Sequence, residues 1–217
     1  SDWISDFLKT EDGRIFFGRN THTGTGMELV EIDTVKYAIG NTFKNLPDMN
    51  GRIASGKEGK LFVCGNDYLY EYDLESQTAE PILNWLDSYI TADYVQGVTM
   101  LEDGNFMLYY QDWEKDTNEL VKLTKTKASE LPEKETIVVA SLYGQNQGIE
   151  HAIVDFNKSN SKYKVVYKTY YDLNAEWTEN LYNDTIKAMN MDLVSDNPPD
   201  IIDLSNINIS TLADKGV

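Results

Sequence analysis

The chain is poor in the residues that carry metal, redox and phosphate chemistry. Among 217 residues there is one cysteine, Cys64, and there are two histidines, His22 and His151. A lone cysteine excludes an internal disulfide, and its place in the apolar run Leu61–Cys64 reads as a small buried hydrophobe. The compartment stays open, because many exported proteins also lack disulfide pairs. Neither histidine has a Cys or His neighbour at zinc-ligand spacing, so no zinc site is expected. A Gly-x-Ser-x-Gly elbow and a Walker-type Gly-x-x-x-x-Gly-Lys loop are both missing. Gly24-Thr25-Gly26 reads as a loop between strands rather than a dinucleotide turn, so no cofactor is expected and a non-enzymatic role is favoured. No apolar run approaches the roughly 18–20 residues that span a bilayer, and no charged n-region with an apolar h-region opens the chain. Any signal peptide or lipid anchor is expected to have been removed ahead of Ser1. Basic residues are sparse as well. The net charge is −17, with 12 basic against 23 acidic side chains over residues 1–131 and 7 against 13 over 132–217. No basic stripe offsets this acidity, which argues against nucleic acid and against an anionic membrane surface. The acid reads mainly as solubility.

What is present is ordinary globular material, 41% apolar and 25% charged, enough to build a core. Three segments align around an acidic-Gly turn: Glu11-Asp12-Gly13-Arg14-Ile15-Phe16-Phe17, Lys57-Glu58-Gly59-Lys60-Leu61-Phe62-Val63 and Glu102-Asp103-Gly104-Asn105-Phe106-Met107-Leu108. Each is followed by a second strand-like run, Glu28–Ile32, Tyr68–Leu74 and Glu119–Leu123. Turn-Gly, strand, loop, strand at a period of roughly 40–50 residues is the grammar of repeated antiparallel sheets. It predicts a β-propeller-like module of about three blades over residues 1–131, expected to be incomplete because three blades do not close a ring. Lys122–Lys127 and Leu131-Pro132-Glu133-Lys134 carry the polar residues and proline of a linker.

After the linker the period changes. Thr136–Leu142 is a short β-branched run ending at the polar loop Tyr143–Gly148, and Ile149, Ile153 and Phe156 then recur at helical spacing. A second strand is expected at Tyr163–Tyr170 and a long helix with Tyr182, Ile186, Met189 and Leu193 as its buried stripe. That helix must stop before Pro198-Pro199, and a third strand follows in Ile201–Leu204. Ser205 or Asn206 suits the cap of a third helix that Gly216 would end. Strand–helix alternation predicts a parallel sheet with its functional loops at the carboxyl ends of the strands.

Within a second part spanning 132–217, residues 135–217 resemble the N-terminal lobe of extracellular solute-binding proteins, the family-1-type, sugar-binding branch that serves ABC importers. The residues carrying the resemblance are the strand Glu135–Leu142, the helix Gly148–Asn160 with its Phe156-Asn157-Lys158 end, Tyr163–Tyr170, Pro199–Leu204 and Ile207–Val217 with Leu-Ala-Asp-Lys-Gly. The resemblance implies a two-part chain, antiparallel blades followed by a partial α/β lobe of the periplasmic-binding-protein type. It implies capture of a small solute, a saccharide, for a membrane permease, in an extracellular and lipid-anchored protein of which this is a fragment. It places ligand contacts at Tyr143, Gly144, Gln145 and Asn146, at Tyr171 and Asp172, and at Asp203, Ser205 and Asn206. Gln, Asn and Asp exchange hydrogen bonds with hydroxyls, and Tyr offers a flat apolar face. Tyr170 and Trp177 are further stacking candidates, or alternatively a core strand residue and a helix-start packing residue. A second lobe would be needed to close the cleft.

Two other constellations are weighed. Asp112–Glu119 places oxygens at alternate positions as a calcium loop does, but Thr117 and Leu123 stand where the turn glycine and bidentate glutamate belong. A polar hairpin tip explains it better. Asp67, Glu71 and Asp73 fall on one strand face, which reads as a solvated face rather than an acid–base pair. An extracellular sensor or interaction module binding protein or glycan is the alternative function, and a glycan-active enzyme a third.

Overall fold

The computed structural model describes residues 3–20, 27–47, 49–144, 146–171, 178–205 and 207. The chain divides into two compact units, 1–130 and 131–217.

The first unit is three antiparallel meanders. Strands β1 (Trp3–Lys9), β2 (Ile15–Asn20), β3 (Met27–Asp33) and β4 (Ala38–Phe43) form one sheet in sequence order. Strands β5 (Met49–Ser55), β6 (Lys60–Gly65), β7 (Tyr68–Asp73) and β8 (Thr78–Asn84) form the next. Strands β9 (Val95–Met100), β10 (Phe106–Asp112) and β11 (Thr117–Leu123) form a third sheet of three strands. The first strands of the sheets lie side by side, β1 next to β5 and β5 next to β9.

The middle sheet is covered on both faces, which explains the unbroken apolar run in β6. Successive side chains on a strand alternate faces. Leu61 and Val63 therefore enter one core with Phe16, Leu29, Phe43 and Tyr72 of the first and second sheets. Phe62 and Cys64 enter the other with Leu69, Trp85, Val95, Leu108 and Tyr110. Trp85 closes this second core while its indole N–H donates to the Gly65 carbonyl at 2.9 Å. Cys64 is fully buried, and desolvation pushes its thiol up to about 12.

Two turn types repeat. The glycines singled out by sequence, Gly13, Gly59 and Gly104, have φ of +87°, +79° and +79°, the left-handed region that favours glycine. The second type has an aspartate at the end of a strand. Asp33, Asp73 and Asp112 each accept two main-chain N–H groups on one carboxylate oxygen, at 2.8–3.0 Å, from the residues two and three further on. The fourth residue beyond each aspartate, Tyr37, Gln77 or Asp116, turns back with φ of 51–55°. The calcium-like run at Asp112 is thus the hairpin turn between β10 and β11. The Asp67–Asp73 face differs from expectation. Leu69, on the same face, is fully buried, Glu71 bonds Lys60 at 2.5 Å, and Asp67 lies ahead of β7 with its carbonyl bonded to the Trp85 N–H.

The second unit follows a different rule. Strand β12 (Glu135–Ser141) pairs in parallel with β13 (Tyr163–Thr169) on one side and β14 (Ile201–Ile202) on the other. Helices α1 (Gln147–Ser159) and α2 (Glu179–Leu193) make the crossovers. Asn146 and Thr178 cap them, their side chains accepting from Ile149 N and Leu181 N. The buried stripe of α1 is Ile153, Val154 and Asn157, with Ile149 and Phe156 at its margins. Asn157 is buried because its side-chain amide copies a strand: Nδ2 donates to Val165 O at 2.9 Å, and Oδ1 accepts from Val165 N at 2.7 Å. The inward side of α2 is Leu181, Thr185 and Met189, which corrects the expected stripe. Tyr182 is exposed, Ile186 and Leu193 are half-buried, and the Thr185 hydroxyl is satisfied by the Leu181 carbonyl. The expected third helix lies outside the described residues. No helix among the described residues is long and apolar enough to cross a membrane.

Candidate functional site

With β12 in the middle, the chain leaves it for β13 on one side and later returns to β14 on the other. In open parallel sheets such a switch in strand order marks the crevice where ligands bind, and here it falls at the carboxyl ends of β12 and β14. The crevice is built from four short segments of sequence. Ser141 ends β12, and its hydroxyl donates to Asp203 Oδ2 at 3.3 Å just beyond β14. Asp203 N in turn donates to Ala140 O at 2.8 Å, so main chain and side chain both lock the two strand ends together. Asp203 Oδ1 accepts from Ser205 N at 2.9 Å and from the Ser205 hydroxyl. The Ser205 hydroxyl, its N–H, Ser141 and the Asn146 amide hold the Asp203 carboxyl below its ordinary range, against the opposing effect of partial burial. It is an anion at neutral pH.

Gly144 makes the sharp exit from β12. Its φ is +70°, and a Cβ there would stand 2.6 Å from Thr169 Cγ2, so both conformation and space require glycine. Tyr143 beside it is the centre of an aromatic group. Its ring centroid is 5.5 Å from that of Tyr171 and 6.4 Å from that of Tyr182, nearly parallel to the latter. Burial, with Tyr182 and Tyr171 alongside, raises the Tyr143 hydroxyl above its usual value. Tyr171 N donates to Leu142 O at 3.1 Å, which brings the end of β13 to the same place.

Tyr143, Gly144, Asn146, Tyr171, Asp203 and Ser205 lie at the carboxyl ends of the three strands. Gln145, Asp172, Asn206 and Trp177 lie outside the described residues. Asn146 is first a helix cap, as its hydrogen bond to Ile149 shows. Tyr170 is tied elsewhere: its hydroxyl bonds Asp192 of α2, which also holds Lys168 at 2.7 Å.

Three residues were not read from sequence. Ser141 closes an apolar strand and carries no signal of its own. Tyr182 was assigned to the core by helical spacing. Tyr167, opposite Val139 in the β12–β13 register, looks like one more strand aromatic. Its hydroxyl oxygen is buried without a hydrogen-bond partner. Ser141 and the Asn146 main chain neighbour it, but without closing a bond of normal geometry; burial, Asp203 and Glu150 raise its pKa.

Chemically the crevice offers one fixed carboxylate, serine hydroxyls and three phenol rings, a set suited to hydroxyl-bearing ligands. Among the described residues no three His, Cys, Asp or Glu side chains come together to hold a metal ion.

Among the described residues of the first unit, surface hollows occur near its turns. One of about 670 Å³ is lined by residues from the β1–β2 turn and the ends of β3 and β4, including Asp12, Arg14, Glu31, Lys36 and Asn41. A smaller one of about 180 Å³ lies between the β1–β2 and β5–β6 turns.

No protein-family model matches the chain, and no curated protein matches it. Among solved structures it is similar to an extracellular domain from B. thetaiotaomicron, described in one structure as part of a hybrid two component system and in another as part of a one component system. Identity is 12% to both, with TM-scores of 0.30 and 0.29, over 62% of this chain in each case. The matched part spans 23% and 24% of those neighbours, so the chain corresponds to about a quarter of their length.

Proposed function

We propose that the parallel unit is part of the N-terminal lobe of an extracellular, lipid-anchored solute-binding protein, that it captures a small saccharide for the permease of an ABC importer, and that the antiparallel unit is propeller-like. The observation that carries this reading is the convergence of Tyr143, Tyr171, Asp203 and Ser205 at the β12–β14 crevice. Carboxylate and hydroxyls there share donors and acceptors with a polyol, and tyrosine rings cover its apolar face. One wall of a cleft buries too little of a small ligand to hold it firmly, since such sites enclose most of the ligand surface. The second wall would come from a further lobe of the same polypeptide.

Titration calorimetry with a panel of mono- and disaccharides tests this. Residues 1–217 alone are expected to give no measurable heat. A polypeptide that also carries the second lobe is expected to bind, with affinity falling at least about tenfold in Asp203→Ala or Tyr143→Ala, the loss of one good polar or stacking contact. Absence of binding to every solute in the two-lobed protein overturns the reading.

A further inference from the structure

The crevice carries a charge that no described neighbour balances. Asp203 is ionised and partly buried, yet its hydrogen-bond partners are neutral: the Ser141 hydroxyl at 3.3 Å on Oδ2, and the Ser205 N–H and hydroxyl on Oδ1. The Asn146 amide also lowers its pKa, and no cation does so. A carboxylate accepts about four hydrogen bonds, so Oδ2, with one long bond, keeps capacity. Other acids of this unit are paired: Asp192 with Lys168 at 2.7 Å, Asp184 with Lys187 at 3.0 Å and Glu135 with Lys162 at 3.8 Å.

The remaining cations stand away from it. The described residues of this unit include six lysines and no arginine. Lys134 precedes β12 and donates to Asn157 O, Lys158 is in the last turn of α1, and Lys162 and Lys164 open β13. All four are at the amino ends of the strands. Towards the carboxyl ends there is acid instead. Glu150, in the first turn of α1, acts together with Asp203 on the Tyr167 hydroxyl, and Glu179 opens α2 one turn before Tyr182. His151, next to Glu150, is the other base there and has a partner of its own. Acid at one end and base at the other give the crevice a negative potential.

A second observation lies beside the carboxylate. The Tyr167 hydroxyl is buried without a hydrogen-bond partner, and Ser141 is its neighbour. Ser141 is committed to Asp203 by its long bond. A ligand that donates strongly to Oδ2 takes that place and frees the serine hydroxyl to pair with Tyr167.

Resting on the reading of this crevice as a solute site, we propose that its solute is an amino sugar, bound with its protonated amine on Asp203 and its hydroxyls on the neighbouring polar groups. An ammonium has three donors and no acceptor, so it matches an oxygen that only accepts. Charge-assisted bonds are about twice as strong as neutral ones, which separates the amine from the hydroxyl it replaces. Ring faces attract cations too, and Tyr143, Tyr171 and Tyr182 present three at the same strand ends.

Titration calorimetry on the two-lobed polypeptide tests this with matched sets: glucosamine, N-acetylglucosamine and glucose, and the galactose counterparts. The buffer is at about pH 6.5, below the usual amine range and above the carboxylate range. The free amines are expected to bind at least about tenfold more tightly than either neutral partner. Asp203→Asn, which keeps an acceptor for Ser205, is expected to erase that preference while leaving affinity for the neutral sugars within about threefold. Glu150→Gln acts through space and is expected to lower the preference about two- to threefold. A neutral sugar that binds as tightly as its amine overturns the proposal and leaves solute capture standing. So does a preference that survives Asp203→Asn. If no sugar of either kind binds, the solute reading falls and the proposal with it.

Discussion

In the antiparallel unit the hairpin turns repeat one solution: Asp33, Asp73 and Asp112 each take two N–H groups onto one oxygen, and the chain reverses at a left-handed residue four places on. In the parallel unit the strand-end loops are individual. One turns at Gly144 against Thr169, another at Asp203 and Ser205, and Tyr167 beneath them keeps a hydroxyl without a partner. Repeated turns are self-contained and teach about folding. Loops with capacity left over teach about binding.

The contrast can be broken most sharply at two glycines of similar φ. Gly59→Ala meets open space and should cost about 1–2 kcal/mol for conformation alone. Gly144→Ala adds a contact of 2.6 Å to Thr169 Cγ2 and should cost about 2–4 kcal/mol, overpacking included. Urea unfolding of both variants reads the difference; equal losses would mean that the β12 exit has room to adjust. Next in size is Asp112→Ala. Asp112 is the buried member of the repeated aspartates, so losing its two N–H bonds is expected to cost about 1–3 kcal/mol, more than Asp73→Ala in the same assay. The smallest effect carries the opposite sign. Tyr167→Phe removes a buried hydroxyl that lacks a partner and should leave stability unchanged or raise it by up to about 1 kcal/mol. A loss above that range would show that the hydroxyl is satisfied in solution.

Sequence carried the glycine turns and the parallel strands well, because both follow from local rules: left-handed φ at Gly13, Gly59 and Gly104, and an apolar run that is β-branched at Thr136–Val139 and buried on both faces from Val139 to Leu142. It carried the outer strands poorly. Ala38–Phe43 and Thr78–Asn84 are exposed along most of their length and show no apolar alternation to find. Of the aspartate turns only the run at Asp112 drew notice in sequence, where a hairpin tip explained it better than a calcium loop; that Asp33 and Asp73 make the same turn shows only in their hydrogen bonds. Around the crevice, residue types at strand ends pointed to Asp203 and Tyr143, whereas Ser141, Tyr167 and Tyr182 matter through neighbours distant in sequence. Helical periodicity misassigned Tyr182 because threonine at 185 fills the inward position, its hydroxyl hidden in a bond to the helix itself.

Strand β6 has a consequence for how the first unit comes apart. Its side chains are divided between two cores, Leu61 and Val63 on one side and Phe62 and Cys64 on the other. Neither core can dissolve without exposing half of the same strand, so the middle sheet acts as a party wall that couples the fates of both neighbours. Amide exchange at Leu61–Cys64 should therefore require the opening of both cores together and be slowest in the unit. A single hairpin excised from this stack would carry two greasy faces into water, which makes the sheet, despite its modular sequence, a poor candidate for independent existence.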